Sequence, residues 1–212
     1  MLKFNEQQQI EAINGALALR PQVEEIVDGL YGKFDVVYYL GIGGTYASAM
    51  QAVTYINGKS DLPVFIQHAA EYYTTGNKRL TKESIVVLSS VTGTTQEVVR
   101  AVEDIKKVGA TLIGFIDTKD SPLARLCDYT ITYPALGTEQ IKFFMVADRL
   151  MHKNGDFEDY ENYYQQLEDY LAIGLVEAEK KADAFGLAFA EKHRHDAMHY
   201  FIGAGNQWGA VY

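Results

Sequence analysis

The feature that most constrains this chain is a succession of short, unbroken apolar runs, each followed by a turn and then by a helical pattern. Residues 36–40 read Val-Val-Tyr-Tyr-Leu, and similar runs occupy 64–66, 85–88 and 111–116, with a weaker fifth at 128–132. Between them, apolar residues recur at helical spacing over 46–56, 96–108 and 138–152, and two further helical stripes fill residues 6–30. Runs that are apolar throughout suit strands buried on both faces. Strands alternating with helices predict a parallel sheet covered on both sides. The expected fold is therefore α/β, a doubly wound five-stranded parallel sheet. Ligands of such sheets sit beyond the C-terminal strand ends, where the strand order reverses.

The remainder of the chain has a different character. Gly155-Asp156 marks a break. Phe157, Tyr160, Tyr164, Leu167 and Leu171 then fall at helical spacing beside an acidic series from Asp156 to Asp169. This predicts one or two long amphipathic helices reaching about His193, with the acids on a solvated face. Beyond them, His199-Tyr200-Phe201-Ile202 reads as a strand followed by Gly203-Ala204-Gly205. The order matches Tyr39-Leu40-Gly41-Ile42-Gly43, and an aromatic residue follows three positions later in both, Tyr46 and Trp208. The expected organisation is a first domain over 1–153, linking helices over 154–196, and the opening of a truncated second domain of the same kind over 197–212.

The segment richest in chemistry is Ser89-Ser90-Val91-Thr92-Gly93-Thr94-Thr95, five hydroxyls in seven residues between a strand and a helix. At a parallel strand end these hydroxyls face the crevice. The following helix directs its free N–H groups and positive dipole end at the same point, an arrangement suited to an anion. Gly93 lets the backbone approach closely. A helix cap at Thr94 or Thr95 needs one hydroxyl, so five exceed what capping requires. The turn Gly41-Ile42-Gly43-Gly44-Thr45 lacks the spacing of a dinucleotide fingerprint or a P-loop, and Gln67-His68 stand where a ribose-binding acid belongs. It is either a tight strand-to-helix turn or a wall in which Gly43, Gly44 and Thr45 line a ligand. Glu71 follows a strand closely and could face the crevice. Glu139 opens a helix with Thr138 at its cap position, and for either glutamate an ordinary surface or first-turn carboxylate is the alternative reading.

Composition narrows the partners. The formal net charge is -9, which disfavours nucleic acid and anionic membranes but not a small anion held by N–H and hydroxyl groups. The lone cysteine, Cys127, excludes an internal disulfide and reads as a small buried residue. No basic, apolar leader is evident, and no apolar run approaches the ~20 residues of a membrane span, so a cytoplasmic location is expected. His193, His195 and His199 cluster without a recognisable third metal ligand and read as exposed helix-end histidines. No metal or organic cofactor is expected.

Taken in order, these segments resemble the SIS (sugar isomerase) domain family. Gly41-Ile42-Gly43-Gly44-Thr45-Tyr46-Ala47-Ser48 is similar to its first glycine turn, and Ala69-Ala70-Glu71-Tyr72 to its Ser-Glu-Phe segment. The loop ending Ser90-Val91-Thr92-Gly93-Thr94-Thr95 resembles the family's phosphate loop, Ser-x-Ser-Gly-x-Thr, with Thr92 replacing the second serine. Asp120-Ser121-Pro122-Leu123-Ala124 and Gly137-Thr138-Glu139 resemble its later loop and last helix start. The resemblance implies that Ser90, Thr92, Gly93 and Thr95 take a phosphate and that Gly43, Gly44, Thr45, Glu71 and Glu139 lie along a sugar. Residues 203–212 look most like the second-domain opening of the fructosamine 6-phosphate deglycases. Members of that kind, and the isomerase half of glucosamine-6-phosphate synthase, draw their catalytic Glu and His from the second domain, so no catalytic residue is assigned here. The resemblance implies a homo-oligomer binding a sugar phosphate, either a phosphosugar isomerase or deglycase acting on amino sugar 6-phosphates, or a non-catalytic sugar-phosphate sensor. A flavodoxin-like nucleotide binder is disfavoured by the poor fingerprint.

Overall fold

The computed structural model describes residues 4–133 and 138–207. Two helices come first, α1 (Glu6–Leu17) and α2 (Arg20–Leu30). Asn5 opens α1 by accepting the N–H of Gln8 on its side chain, and Pro21 lies in the first turn of α2, where its missing N–H costs no helical bond. Then follow β1 (Val36–Gly41), α3 (Gly44–Asn57), β2 (Val64–His68), α4 (Ala69–Thr75), β3 (Ser84–Ser90), α5 (Gln96–Val108), β4 (Thr111–Ile116), α6 (Pro122–Leu126), β5 (Tyr129–Ile131), α7 (Glu139–Asn154) and α8 (Tyr160–His193).

The five strands form one parallel sheet in the order β2-β1-β3-β4-β5. Val37 pairs with both Val64 and Ile85, and Leu88 lies beside Gly114, so the apolar runs stack in register across the sheet centre. Side chains alternate between two cores, as the two-residue strand period requires. Tyr39, Val87, Ile113 and Phe115 meet α2, α3 and α7 on one face; Leu40, Val86, Leu88 and Leu112 meet α4, α5 and α6 on the other. β3 is the middle strand and is buried along its whole length. The expected doubly wound five-stranded sheet is what the chain forms.

α8 is a single 34-residue helix. Its first turns pack on the domain: Arg20 lies over the rings of Tyr160 and Tyr164, 5.0 and 4.8 Å from their centroids, and pairs with Glu24 and Glu161. Glu161 and Glu168 thus partner Arg20, while most of the acidic series faces solvent. Farther along, Tyr170, Ile173, Phe185 and Leu187 are exposed. No described helix is long and apolar enough to cross a membrane.

One expected element does not form. Residues 199–202 are irregular, and Tyr200, Phe201 and Ile202 are exposed. An extended segment becomes a strand only by hydrogen bonding to a neighbour, and the sheet ends at β2 and β5. The following turn, Gly205–Gln207, lies near α3 instead. Gly137 and Trp208, which carried parts of the resemblance, fall outside the described residues.

Candidate functional site

β1 leads through α3 outward to β2, whereas β3 leads through α5 to β4 on the opposite side. The loops leaving β1 and β3 therefore diverge, and a cavity of about 220 Å³ opens between them. Ile42 and Thr45 line it from the β1 side; Ser89, Ser90, Val91, Thr92, Thr95 and Val98 line it from the β3 side. This is the reversal point where a doubly wound sheet holds its ligand.

The β3 loop is shaped by its own polar groups. Ser90 Oγ accepts the Gly93 N–H at 3.0 Å, and Thr92 Oγ1 accepts from the Thr94 N–H and the Thr94 hydroxyl at 3.3 and 2.9 Å. Neighbouring backbone ties the loop down. Asp117 N–H donates to the Ser90 carbonyl at 3.2 Å, Thr118 Oγ1 to the Val91 carbonyl at 3.0 Å, and Leu123 N–H to the Gly93 carbonyl at 3.2 Å. Gly93 has φ +63°, and a Cβ there would stand 2.0 Å from Ser121 Oγ. Glycine is thus required by the turn and by Ser121 packed behind it, a stricter reason than ligand approach.

Thr95 occupies the N-cap position of α5, yet its side chain makes no capping bond. The capping explanation for this hydroxyl therefore fails, and the N-terminus of α5 has no side-chain cap from its N-cap residue. An anion in the cavity would meet hydroxyls and a helix N-terminus, with no cationic side chain among the described lining residues.

The β1 loop differs. Thr45 Oγ1 accepts the Ile42 N–H at 3.2 Å and donates to the Ile42 carbonyl at 3.0 Å, closing the turn on itself. Gly43 has φ +56°, a conformation that disfavours side chains, but a Cβ there would meet nothing. Of the residues singled out from sequence, the structure brings Ser90, Thr92, Thr95 and Thr45 to one cavity. Gly93 lies buried behind it, and Gly43 and Gly44 form the turn beside Thr45. Glu71, exposed in the first turn of α4, and Glu139, in the first turn of α7, do not line it. Thr138 holds the N-cap position of α7 without a side-chain capping bond.

A buried ion pair beside the loop was not singled out from sequence. Lys142 Nζ lies 3.2 Å from Asp117 Oδ1, and both side chains are almost wholly buried. Burial pushes the Asp117 carboxyl above its usual range while Lys142 pulls it down. Its position directly after a strand, where Ser90 ends the neighbouring strand, was the available signal. A second buried acid, Asp148, faces the tyrosines of α3 and α8. Tyr164 donates to Oδ2 at 2.8 Å and Oδ1 accepts no bond; burial raises the carboxyl to about 6, against the pull of the Tyr164 and Tyr55 hydroxyls. Cys127 is half-buried, and burial pushes its thiol up to about 12, which leaves little nucleophilic thiolate.

Comparison with known proteins agrees with this geometry. Residues 33–146 match the SIS domain model. The chain is 23% identical over 200 residues to fructosamine deglycase FrlB of Bacillus subtilis, covering 90% of this chain and 60% of that protein. It is 30% identical over 104 residues to the HTH-type transcriptional regulator CPE0189 of Clostridium perfringens, covering 48% of this chain and 36% of that one. The C-terminal domain of glucosamine-fructose-6-phosphate aminotransferase from Francisella tularensis superposes with a TM-score of 0.81 at 16% identity, over 97% of this chain and 62% of that one. The chain thus spans less than two thirds of the length of each of these relatives. A parallel sheet in this strand order and a family match running from just before β1 into α7, over more than half of the sequence, show that this chain belongs to the SIS domain family.

Proposed function

We propose that the cavity between the β1 and β3 loops binds the phosphate of an amino sugar 6-phosphate, and that the chain serves a phosphosugar isomerase or deglycase of the fructosamine 6-phosphate type. The observation that carries this is the convergence of Ser89, Ser90, Thr92 and Thr95 on one cavity at the strand-order reversal, beside an α5 N-terminus without a side-chain cap. Hydroxyls and backbone N–H groups fix a dianion by several charge-assisted bonds, which orient the sugar carbons for proton transfer. The likeness to FrlB supports the substrate class.

Proton transfer beside a carbonyl or imine needs an acid or base within hydrogen-bond reach. Among the described residues, the cavity lining offers hydroxyls and aliphatic groups but no carboxylate or imidazole. In this proposal the chain binds and orients, and the base comes from a neighbouring domain or from a second subunit of a homo-oligomer. A second reading, a sugar-phosphate sensor without catalysis, is favoured by the likeness to the regulator CPE0189. Isothermal titration with fructose 6-phosphate and glucosamine 6-phosphate, beside an assay for amine release from a fructosamine 6-phosphate, separates the two. Saturable binding with turnover, by the chain alone or once joined to a domain that supplies the base, supports the enzyme; saturable binding with no turnover in either form supports the sensor, and an absence of binding defeats both.

A further inference from the structure

The end of α8 carries a donor set that the sugar-phosphate site does not use. His193 lies in the last turn, Asp196 follows it, and His199 stands on the segment that leaves the helix. Sequence alone showed the histidines without a third ligand; the fold supplies Asp196. His193 Nδ1 lies 2.7 Å from Asp196 Oδ2, and His199 Nε2 lies 3.9 Å from the same oxygen. One ligand atom from each residue falls within 4.8 Å of the other two.

Three features prearrange the group. The Asp196 N–H donates to the His193 carbonyl at 3.0 Å, which fixes the aspartate against the helix end. The Phe189 ring packs on both imidazoles, with centroids 4.7 Å from His193 and 5.9 Å from His199. The C-terminal end of a helix carries partial negative charge, which favours a cation placed there. All three ligand side chains are partly exposed, so an ion can reach them.

We propose that His193, Asp196 and His199 bind one divalent transition ion of the zinc class. Two imidazole nitrogens and one carboxylate oxygen suit such borderline ions better than magnesium or calcium, which prefer all-oxygen shells. Tetrahedral zinc with N and O ligands near 2.1 Å sets donor separations of roughly 3.3 Å, so the three side chains move on the order of 1 Å to close on the ion. Water completes the shell. Bound there, the ion staples the end of α8 to the segment that runs back toward α3 through the turn Gly205–Gln207.

The test is calorimetric titration of the 212-residue chain with zinc chloride, with cobalt(II) absorption as a report of ligand geometry. The expected result is one equivalent bound, weakened by at least ~10-fold in each of His193→Ala, Asp196→Ala and His199→Ala. Tetrahedral cobalt bands should appear in the parent chain and vanish in His199→Ala. These side chains are all at least partly exposed, so helix content by circular dichroism should be unchanged in all three. Absence of saturable uptake overturns the proposal. So does uptake of equal affinity in the triple variant, which would place the ion on His68, His152 or His195 instead.

Discussion

The two loops that face each other across the crevice use similar residues for different ends. The β1 loop turns its hydroxyl inward: both bonds of Thr45 Oγ1 go to Ile42, and its glycine at positive φ has open space around it. The β3 loop is braced from behind by Asp117, Thr118, Ser121 and Leu123 and leaves Thr95 without a capping bond. A turn that satisfies its own polar groups shapes a wall. A turn whose backbone is held by its neighbours, although Ser90 and Thr92 also bond within it, can leave a hydroxyl such as that of Thr95 for a ligand. The difference lies in who supplies the hydrogen bonds, which glycine content alone does not reveal.

The largest expected effect tests the bracing of the β3 loop. Lys142→Met leaves Asp117 buried and unpaired next to the Ser90 carbonyl, and should destabilise the fold by about 3–5 kcal/mol in urea unfolding. Adding Asp117→Asn should recover much of that loss. If the double variant is no more stable than the single one, the pair is not what holds this corner.

The two positive-φ glycines sharpen the contrast. Gly93→Ala meets Ser121 Oγ as well as backbone strain and should cost about 3 kcal/mol. Gly43→Ala meets only the backbone strain and should cost about 1–2 kcal/mol. Equal costs by thermal unfolding would erase the distinction between a braced and an open loop.

Asp148 provides a control on α7 away from both loops. Its folded carboxyl holds a proton more tightly than an unfolded one, so its contribution favours folding at acid pH. That contribution is complete below about pH 4 and is lost as pH rises through about 6, by roughly 2–3 kcal/mol in all. Asp148→Asn should flatten this part of the stability profile without altering sugar-phosphate affinity. A matching change in affinity would mean that the α7 scaffold and the cavity are not separable.

The smallest effects are on binding itself. Ser90→Ala removes a lining hydroxyl and the acceptor of the Gly93 N–H, and should weaken fructose 6-phosphate binding by roughly 10-fold. Thr45→Val, whose hydroxyl is already engaged by Ile42, should weaken it by no more than about 3-fold. The reverse order by calorimetry would assign the anion to the β1 side.

Much of the scaffold was legible because buried parallel strands write themselves as unbroken apolar runs, and four of the five runs stood out between helical stripes. α5 spans Gln96–Val108, as its apolar spacing predicts. The helices α4 and α6, of seven and five residues, are too short to build a periodic stripe and were not anticipated. The hydroxyl loop was legible by composition, but its bracing was not, since the Lys142–Asp117 pair joins residues 25 apart and a buried lysine on a mixed helix face looks like a surface one. The near-copy of β1 at residues 199–202 shows the complementary limit. The sequence pattern states a capacity for strand, and β1 realises it between β2 and β3, whereas 199–202 has no strand beside it among the described residues.

The most direct measurement is an amide chemical-shift titration of the chain with fructose 6-phosphate against unphosphorylated fructose. Saturable shifts concentrated on residues 89–98, present with the ester and absent with the plain sugar, are the expected result. Shifts centred elsewhere, or equal responses to both compounds, would contradict a phosphate site in the β3 loop.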